Sequence, residues 1–268
     1  MHALKKTLQA GKLTIGNMIS EVRNPNVVHL LARCGYDFII VDNEHGTYSV
    51  ETLSNIIAAA HGGNVPILVR IPEIRRETVM KPLDAGAAGL LVPQVDTADQ
   101  ARQLVEFAKY PPEGARGVAL RRPHNLYRRV SASDYLRQAN EETFLAVQAE
   151  TPMAIENREE IASVPGIDAI FVGPMDLSVS MGHPGEATHP AQVEAVDKIV
   201  ATCRQKGLAS GIMLFDRDQA AHWIEKGMRF MVYGSDISLL ADAALEAVTA
   251  LKKLDVSLKA DRSVPTQF

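Results

Sequence analysis

Gly166–Gly182 reads GIDAIFVGPMDLSVSMG, and the order of residue types in it decides the fold. A helix-like stretch ends at Gly166, two residues follow, and then comes the apolar run Ala169–Val172. Gly173-Pro174 breaks that run, and a carboxylate, Asp176, stands just beyond the break. A glycine past a helix end supplies the left-handed cap, and a short apolar run without alternation is a strand buried on both faces. The same order recurs at Gly35-Tyr36-Asp37 before FIIV, at Gly86-Ala87-Ala88 before GLLV, and at Gly227-Met228-Arg229 before FMV. Repeated helix–glycine–strand units imply parallel strands joined by crossover helices. Adding Leu13–Ile19, Ile67–Ile71, Leu145–Val147 and Ser210–Met213 makes eight strands. The expected fold is α/β, a single (β/α)8 TIM barrel over residues 1–254, with a polar tail over 255–268. An open doubly wound sheet is the alternative, but no G-x-G-x-x-G follows any of these strands.

The helices between the strands are well punctuated. Asn24-Pro25 reads as an N-cap with proline in the first helical position, and Ser49 as the cap of Val50–His61. Ala98–Lys109 and Ala191–Lys206 carry apolar residues at helical spacing. Gly114–Asn140 fits no strand-then-helix unit and reads as a rim insertion between the fourth and fifth strands. At 268 residues the chain is long enough for a full core, and 46% hydrophobic with 22% charged residues is ordinary globular composition. A net charge of −4 argues against nucleic acid or an anionic membrane as partner. No apolar run reaches membrane-spanning length, and Met1–Leu13 lacks a secretory core. Cys34 and Cys203 are far apart in helix-like segments and read as reduced core residues of a cytoplasmic protein.

In a barrel of this kind the chemistry sits at the strand C-termini. Strand two runs into Asp42-Asn43-Glu44-His45, strand three ends at Arg70, and strand four at Pro93-Gln94. Strand five leads to Gln148 and Glu150, and strand six to Asp176. Glu150 and Asp176 suit a hard divalent cation that keeps open positions for a 2-oxo acid and acts as a Lewis acid. Arg70 offers a fixed positive fork where an enolate oxygen gains charge, and His45 can move the proton. No strand ends in lysine, which favours the metal-dependent route over a Schiff base. Phe171 and Met213, with Leu214 nearby, read either as an apolar wall for an aldehyde chain or as core.

These residues make the sequence similar to the HpcH/HpaI-type class II pyruvate aldolases, within the citrate-lyase-like, phosphoenolpyruvate-binding barrel group. The similarity rests on YDFIIVDNEHGTYS (Tyr36–Ser49), ILVRIPE (Ile67–Glu73), LDAGAAGLLVPQVDTADQA (Leu83–Ala101), VQAET (Val147–Thr151), FVGPMDLSVSMGHPG (Phe171–Gly185) and YGSD (Tyr233–Asp236). It implies His45 as proton acceptor, Arg70 as transition-state stabiliser, and Glu150 and Asp176 as ligands of Mg²⁺, Mn²⁺ or Co²⁺. It further implies pyruvate contacts from Gln148 and from the backbone at Met175-Asp176. Asp84 matches a carboxylate that raises the basicity of the histidine. By its own position Asp84 precedes its strand and belongs near the opposite rim, so a neighbouring subunit could supply it, and Asp42 is the nearer alternative. The resemblance also implies a homohexamer in which Leu239–Leu254 packs on another subunit. The expected activity is reversible cleavage of a 4-hydroxy-2-oxo acid, of the 2-keto-3-deoxy sugar acid or 4-hydroxy-2-oxoheptanedioate type, to pyruvate and an aldehyde. A decarboxylase or carbon–carbon ligase acting on an oxaloacetate-like substrate is the second reading, and a non-catalytic metal-stabilised assembly protein the third.

Overall fold

Eight parallel strands hydrogen-bond in sequence order and close on themselves, β8 returning to β1. They are β1 (Thr14–Ile19), β2 (Phe38–Asp42), β3 (Ile67–Arg70), β4 (Gly89–Val92), β5 (Phe144–Ala149), β6 (Ala169–Val172), β7 (Ala209–Leu214) and β8 (Phe230–Ser235). This computed structural model describes residues 3–254, so the tail expected at 255–268 lies outside the described residues. The first half contributes helices α1 (Ala3–Gln9), α2 (Val27–Arg33), α3 (Val50–Gly63), α4 (Arg76–Ala85), α5 (Ala98–Ala108) and α6 (Ala132–Glu142). The second half contributes α7 (Pro152–Glu156), α8 (Arg158–Ala162), α9 (Pro174–Ser180), α10 (Pro190–Lys206), α11 (Arg217–Lys226) and α12 (Asp236–Leu254). The eight-strand barrel expected from the glycine-punctuated runs is therefore the observed fold.

Strand periodicity sorts the side chains into two cores. Ile39 and Val41 face the helices, whereas Phe38 and Ile40 fill the barrel. Phe230 is the hub of the interior, with ring centroids 5.0 Å from Phe38, 5.3 Å from Phe144 and 5.4 Å from Phe171. Phe171 is thus core, which decides between its two sequence readings. Leu214 is buried in the outer core. Leu4 and Leu8 of α1 pack on the inner core, so the N-terminal segment closes the barrel floor. The YGSD motif closes the barrel seam: Asp236 accepts the backbone N–H groups of Ser20 (3.1 Å), Glu21 (3.1 Å) and Val22 (2.8 Å).

Three local readings need correction. Helix α2 begins two residues after Pro25; Asn24 instead uses its side-chain oxygen to accept the N–H of Asn26 at 3.0 Å. Local Asx-turn bonding competes with helix entry at such a residue. Cys34 is exposed at the end of α2 rather than core, while Cys203 is buried, with its thiol pushed up to about 12 by burial. The segment after α5 contains a helix of its own, α6, and it starts and ends at the barrel floor, because it joins the end of a helix to the start of β5.

That floor holds Lys109, which is 1% exposed and donates to the backbone oxygens of Asn140 and, at 2.9 Å, Thr143. Burial brings its pKa from 10.5 down to about 8. Between those values the unfolded chain binds the proton and the folded chain does not, so this residue makes stability rise with pH from about 8 towards 10.5. The full span corresponds to about 3 kcal/mol. Chemical denaturation of Lys109→Met against the parent is expected to lose that rise; identical pH slopes would contradict it.

Candidate active site

At the β2–β3 corner of the C-terminal rim, register places Asp42 directly opposite Arg70. Asp42 is 2% exposed, and its carboxylate accepts Arg70 Nε–H at 2.9 Å and Nη2–H at 2.8 Å. It also accepts the backbone N–H groups of Glu44 (3.1 Å) and His45 (3.4 Å). Burial alone would raise the Asp42 pKa, but these bonds and the guanidinium charge outweigh it and hold the group low. Arg70 Nη1 pairs with Glu44 at 3.1 Å. Burial acts downward on Arg70, and Asp42, Glu44 and then Glu150 more than reverse it. A planar five-donor fork with three N–H groups committed keeps two for a ligand. His45 is exposed on the turn that follows, and among the described residues its ring has no hydrogen-bond partner.

The β5–β6 corner supplies the carboxylates. Gln148 lies inside the barrel mouth at 2% exposure and Glu150 just past the strand at 3%. Glu150 Oε1 accepts the backbone N–H of Gln94 at 2.7 Å, and Oε2 accepts Gln148 Nε2–H at 2.8 Å. Its backbone oxygen accepts Ser180 Oγ–H at 3.0 Å from α9. Burial, with Asp176 and Glu44 adding negative charge, pushes the Glu150 carboxyl up to about 7 against the Gln94 bond. Gly173 packs closely here, and a Cβ at that position would push against Glu150 Oε2. Asp176 sits exposed in the first turn of α9, where the first intrahelical bond runs from Leu177 N–H to Gly173 O at 2.9 Å. The backbone N–H groups of Met175 and Asp176 therefore lie in the turn whose donors have no helical acceptor.

These groups fit a divalent ion. Gln148 Oε1 is buried with no hydrogen-bond partner, an acceptor left for a donor or a cation. A carboxylate held up by burial and then by its neighbours' negative charge is relieved by a positive ion. Two carboxylates with open positions match a hard cation that shares its shell with substrate oxygens.

The structure brings Asp42, Arg70, Gln148 and Glu150 to one rim, with His45 on the turn after β2 and Asp176 in the first turn of α9 beside them. Met213 is half-buried against the inner core near the end of β7, and the Met175 side chain is 61% exposed. Asp84 is set apart. It lies in the last turn of α4, on the floor side, and accepts Arg116 Nη2–H at 2.6 Å. Sequence reasoning gave no role to two groups: Glu44, which shares Arg70, and the backbone of Gln94. The two-residue spacing of Asp42 and Glu44 was a usable signal for the first. The second was not legible, because it depends on Gln94 taking a positive φ of 51°.

This buried acid–arginine set stands at the strand C-termini, the end of a parallel barrel where active sites sit. The chain belongs to the HpcH/HpaI aldolase/citrate lyase family, whose profile matches residues 18–243. A 5-keto-4-deoxy-D-glucarate aldolase of Klebsiella pneumoniae subsp. pneumoniae is 35% identical over 252 residues, spanning 94% of this chain and 97% of the relative. A 4-hydroxy-2-oxo-heptane-1,7-dioate aldolase of Shigella boydii is 37% identical over 252 residues, spanning 93% and 94%. The crystal structure of an HpcH/HpaI aldolase from Desulfitobacterium hafniense superposes with a TM-score of 0.93 at 32% identity, covering 97% of this chain and all of that one.

Proposed function

We propose that the protein is a divalent-metal-dependent aldolase that cleaves a 4-hydroxy-2-oxo acid to pyruvate and an aldehyde, and joins them in reverse. The observation that carries this reading is Glu150, a buried strand-end carboxylate raised to about 7 beside the unpartnered Gln148 oxygen. Glu150 and Asp176 would hold Mg²⁺, Mn²⁺ or Co²⁺, which supplies a Lewis acid for the 2-oxo acid when bound. Gln148 and the Met175–Asp176 backbone orient the pyruvate portion. The two uncommitted Arg70 donors stabilise the negative charge that grows on the keto oxygen as a methyl proton leaves. His45, exposed at the mouth, carries that proton.

The two aldolases named above carry different substrates in their names, so the pyruvate half is the part of this proposal held fixed. Incubating the protein with pyruvate, added divalent metal and a panel of aldehydes tests it. The expected result is a condensation product with at least one hydroxyaldehyde or aldehyde acid. Consumption of an oxaloacetate-like substrate without any aldol product would replace this reading by the decarboxylase one. His45→Ala is expected to slow cleavage by about a hundredfold or more, the usual contribution of a positioned acid–base group, with metal binding unchanged. Loss of bound metal in that variant would make His45 a ligand instead.

We further propose a homo-oligomer, a hexamer by analogy with the family, assembled through α12. Leu240 (64% exposed), Leu245 (60%) and Leu251 (66%) lie bare along this helix. Over β8 and β1, where an eighth barrel helix would lie, an apolar cleft of about 540 Å³ is lined by Tyr36, Leu214, Ile224 and Met231. A bare apolar helix and an uncovered apolar cleft on one chain suit exchange between copies. Leu245→Glu with Leu251→Glu is expected to lower the mass seen by light scattering; an unchanged mass would contradict the exchange. Such an assembly also gives Asp84 a place. The oxygens of Asp42 are taken up by Arg70 and the backbone, so a carboxylate for His45 would come from a neighbouring subunit. Two unpaired cysteines suit the cytoplasm as its setting.

A further inference from the structure

We propose that Gln192 and Ser180 are positioning residues that set the spacing of Glu150 and Asp176 by pinning α9 at both ends. This inference rests on the metal-dependent reading above and deepens it. The sheet alone does not fix that spacing. Strands β5 and β6 stay in register through Gln148 opposite Phe171 and Ala149 opposite Val172. Glu150 is the first residue past β5, whereas Asp176 stands further past β6, in the first turn of α9. Where Asp176 stands relative to Glu150 therefore depends on how α9 is seated. Isolated helices of seven residues are marginal in water, so this one takes its place from bonds to its surroundings.

Two side chains supply those bonds. Ser180, the last residue of α9, directs its Oγ–H to the backbone oxygen of Glu150 at 3.0 Å, shared with Leu177 O at 2.9 Å. Among the described residues this is the one hydrogen bond that joins α9 to Glu150. At the other end Gln192, in the first turn of α10 and 1% exposed, donates Nε2–H to Pro174 O at 2.9 Å. Pro174 opens α9, so Asp176 and the backbone N–H groups of Met175 and Asp176 lie between the two pins. Ser178, fully buried, binds the following turn to the same helix. Its Oγ–H donates to Met175 O at 2.6 Å, and its Oγ accepts Gly185 N–H at 2.9 Å.

Gln192 is the wrong residue for its place if packing alone decides. It continues the stripe of Ala195, Val196 and Ile199, all of them outer-core residues of α10. Its Oε1 is buried with no hydrogen-bond partner. Burying an unsatisfied acceptor costs stability that an apolar side chain of the same size does not. What Gln192 adds over such a side chain is the single bond to Pro174 O. Pro174 O is also the first carbonyl of α9, where helical N–H groups serve as donors, so losing Gln192 does not leave it bare. Packing and positioning therefore predict opposite results. A packing residue loses stability when replaced, whereas a positioning residue loses metal affinity and keeps its stability.

The test is Mn²⁺ binding to the full-length protein, read from the EPR signal of the free ion, beside thermal unfolding of the metal-free protein. Gln192→Met keeps the length of the side chain and removes both the donor and the orphan acceptor. It is expected to weaken Mn²⁺ binding by about tenfold, the lower end of what groups behind metal ligands contribute. Its unfolding midpoint is expected to equal or exceed that of the parent. Ser180→Ala is expected to weaken Mn²⁺ in the same way, and Ser180→Thr, which keeps the hydroxyl, to restore it. Parental affinity in either Gln192→Met or Ser180→Ala, above a wild-type site that Glu150→Gln abolishes, overturns this inference alone. A lowered midpoint in Gln192→Met overturns it too, by making Gln192 a packing residue. Wild-type protein that binds no more Mn²⁺ than Glu150→Gln overturns the metal reading and this inference with it.

Discussion

Glu150→Gln is expected to reduce aldol cleavage by about a thousandfold or more while leaving the fold intact. Glutamine keeps the side-chain length and one carbonyl oxygen, so the Gln94 N–H retains an acceptor. It removes the negative charge that would draw a cation to the mouth. Electrostatic stabilisation in a water-poor site is commonly the largest catalytic contribution, and the loss of one oriented donor alone costs about 10²–10³ in rate. Losing the ion should cost at least that. Chelation of the wild-type protein is expected to give the same phenotype, with recovery on adding Mg²⁺, Mn²⁺ or Co²⁺. Full activity in Glu150→Gln, or a borohydride-trapped pyruvate adduct, would remove the metal from the account.

Arg70 carries the second large effect, and the structure makes its removal a double loss. Three of its N–H groups hold Asp42 and Glu44 in place. Arg70→Ala leaves Asp42, 2% exposed, as an uncompensated buried charge. Breaking such a pair costs about 3–5 kcal/mol of stability. Arg70→Lys is the cleaner probe: it keeps the positive charge and loses the planar fork that meets Asp42 with two parallel bonds. Both variants are expected to depress cleavage and also the exchange of pyruvate methyl protons without aldehyde. For Arg70→Lys the expected fall in exchange is about a hundredfold or more, matching the loss of a donor aimed at developing charge. Wild-type exchange in a folded, metal-loaded Arg70→Lys protein would reduce Arg70 to a brace for the rim.

Much of this architecture was legible in the residues because parallel barrels leave strong local marks. Gly35, Gly86, Gly166 and Gly227 all take positive φ at helix ends, and each is followed within three residues by a buried strand. Strand parity then puts Asp42, Gln148 and Phe171 on the inward faces of their strands. Hidden were the features fixed by three-dimensional neighbours. Phe171 reads the same as a pocket wall or as core until Phe230 is placed beside it. The capture of Arg70 by both Asp42 and Glu44 depends on the β2–β3 register, and Gln94 on a left-handed backbone. Asp84 is the informative case. Its place before β4 put it near the opposite rim, and the structure pairs it there with Arg116, away from the other site residues of its own chain.

The central claim is that this chain activates pyruvate itself, through a divalent ion at Glu150 and Asp176. The most direct measurement is proton NMR of pyruvate in D₂O with the purified protein and no aldehyde, with and without Mg²⁺ or Mn²⁺ after chelation. The account predicts loss of the methyl signal with metal present, its persistence after chelation, and its persistence in Glu150→Gln under both conditions. Exchange that proceeds equally in chelated and Glu150→Gln protein would contradict it.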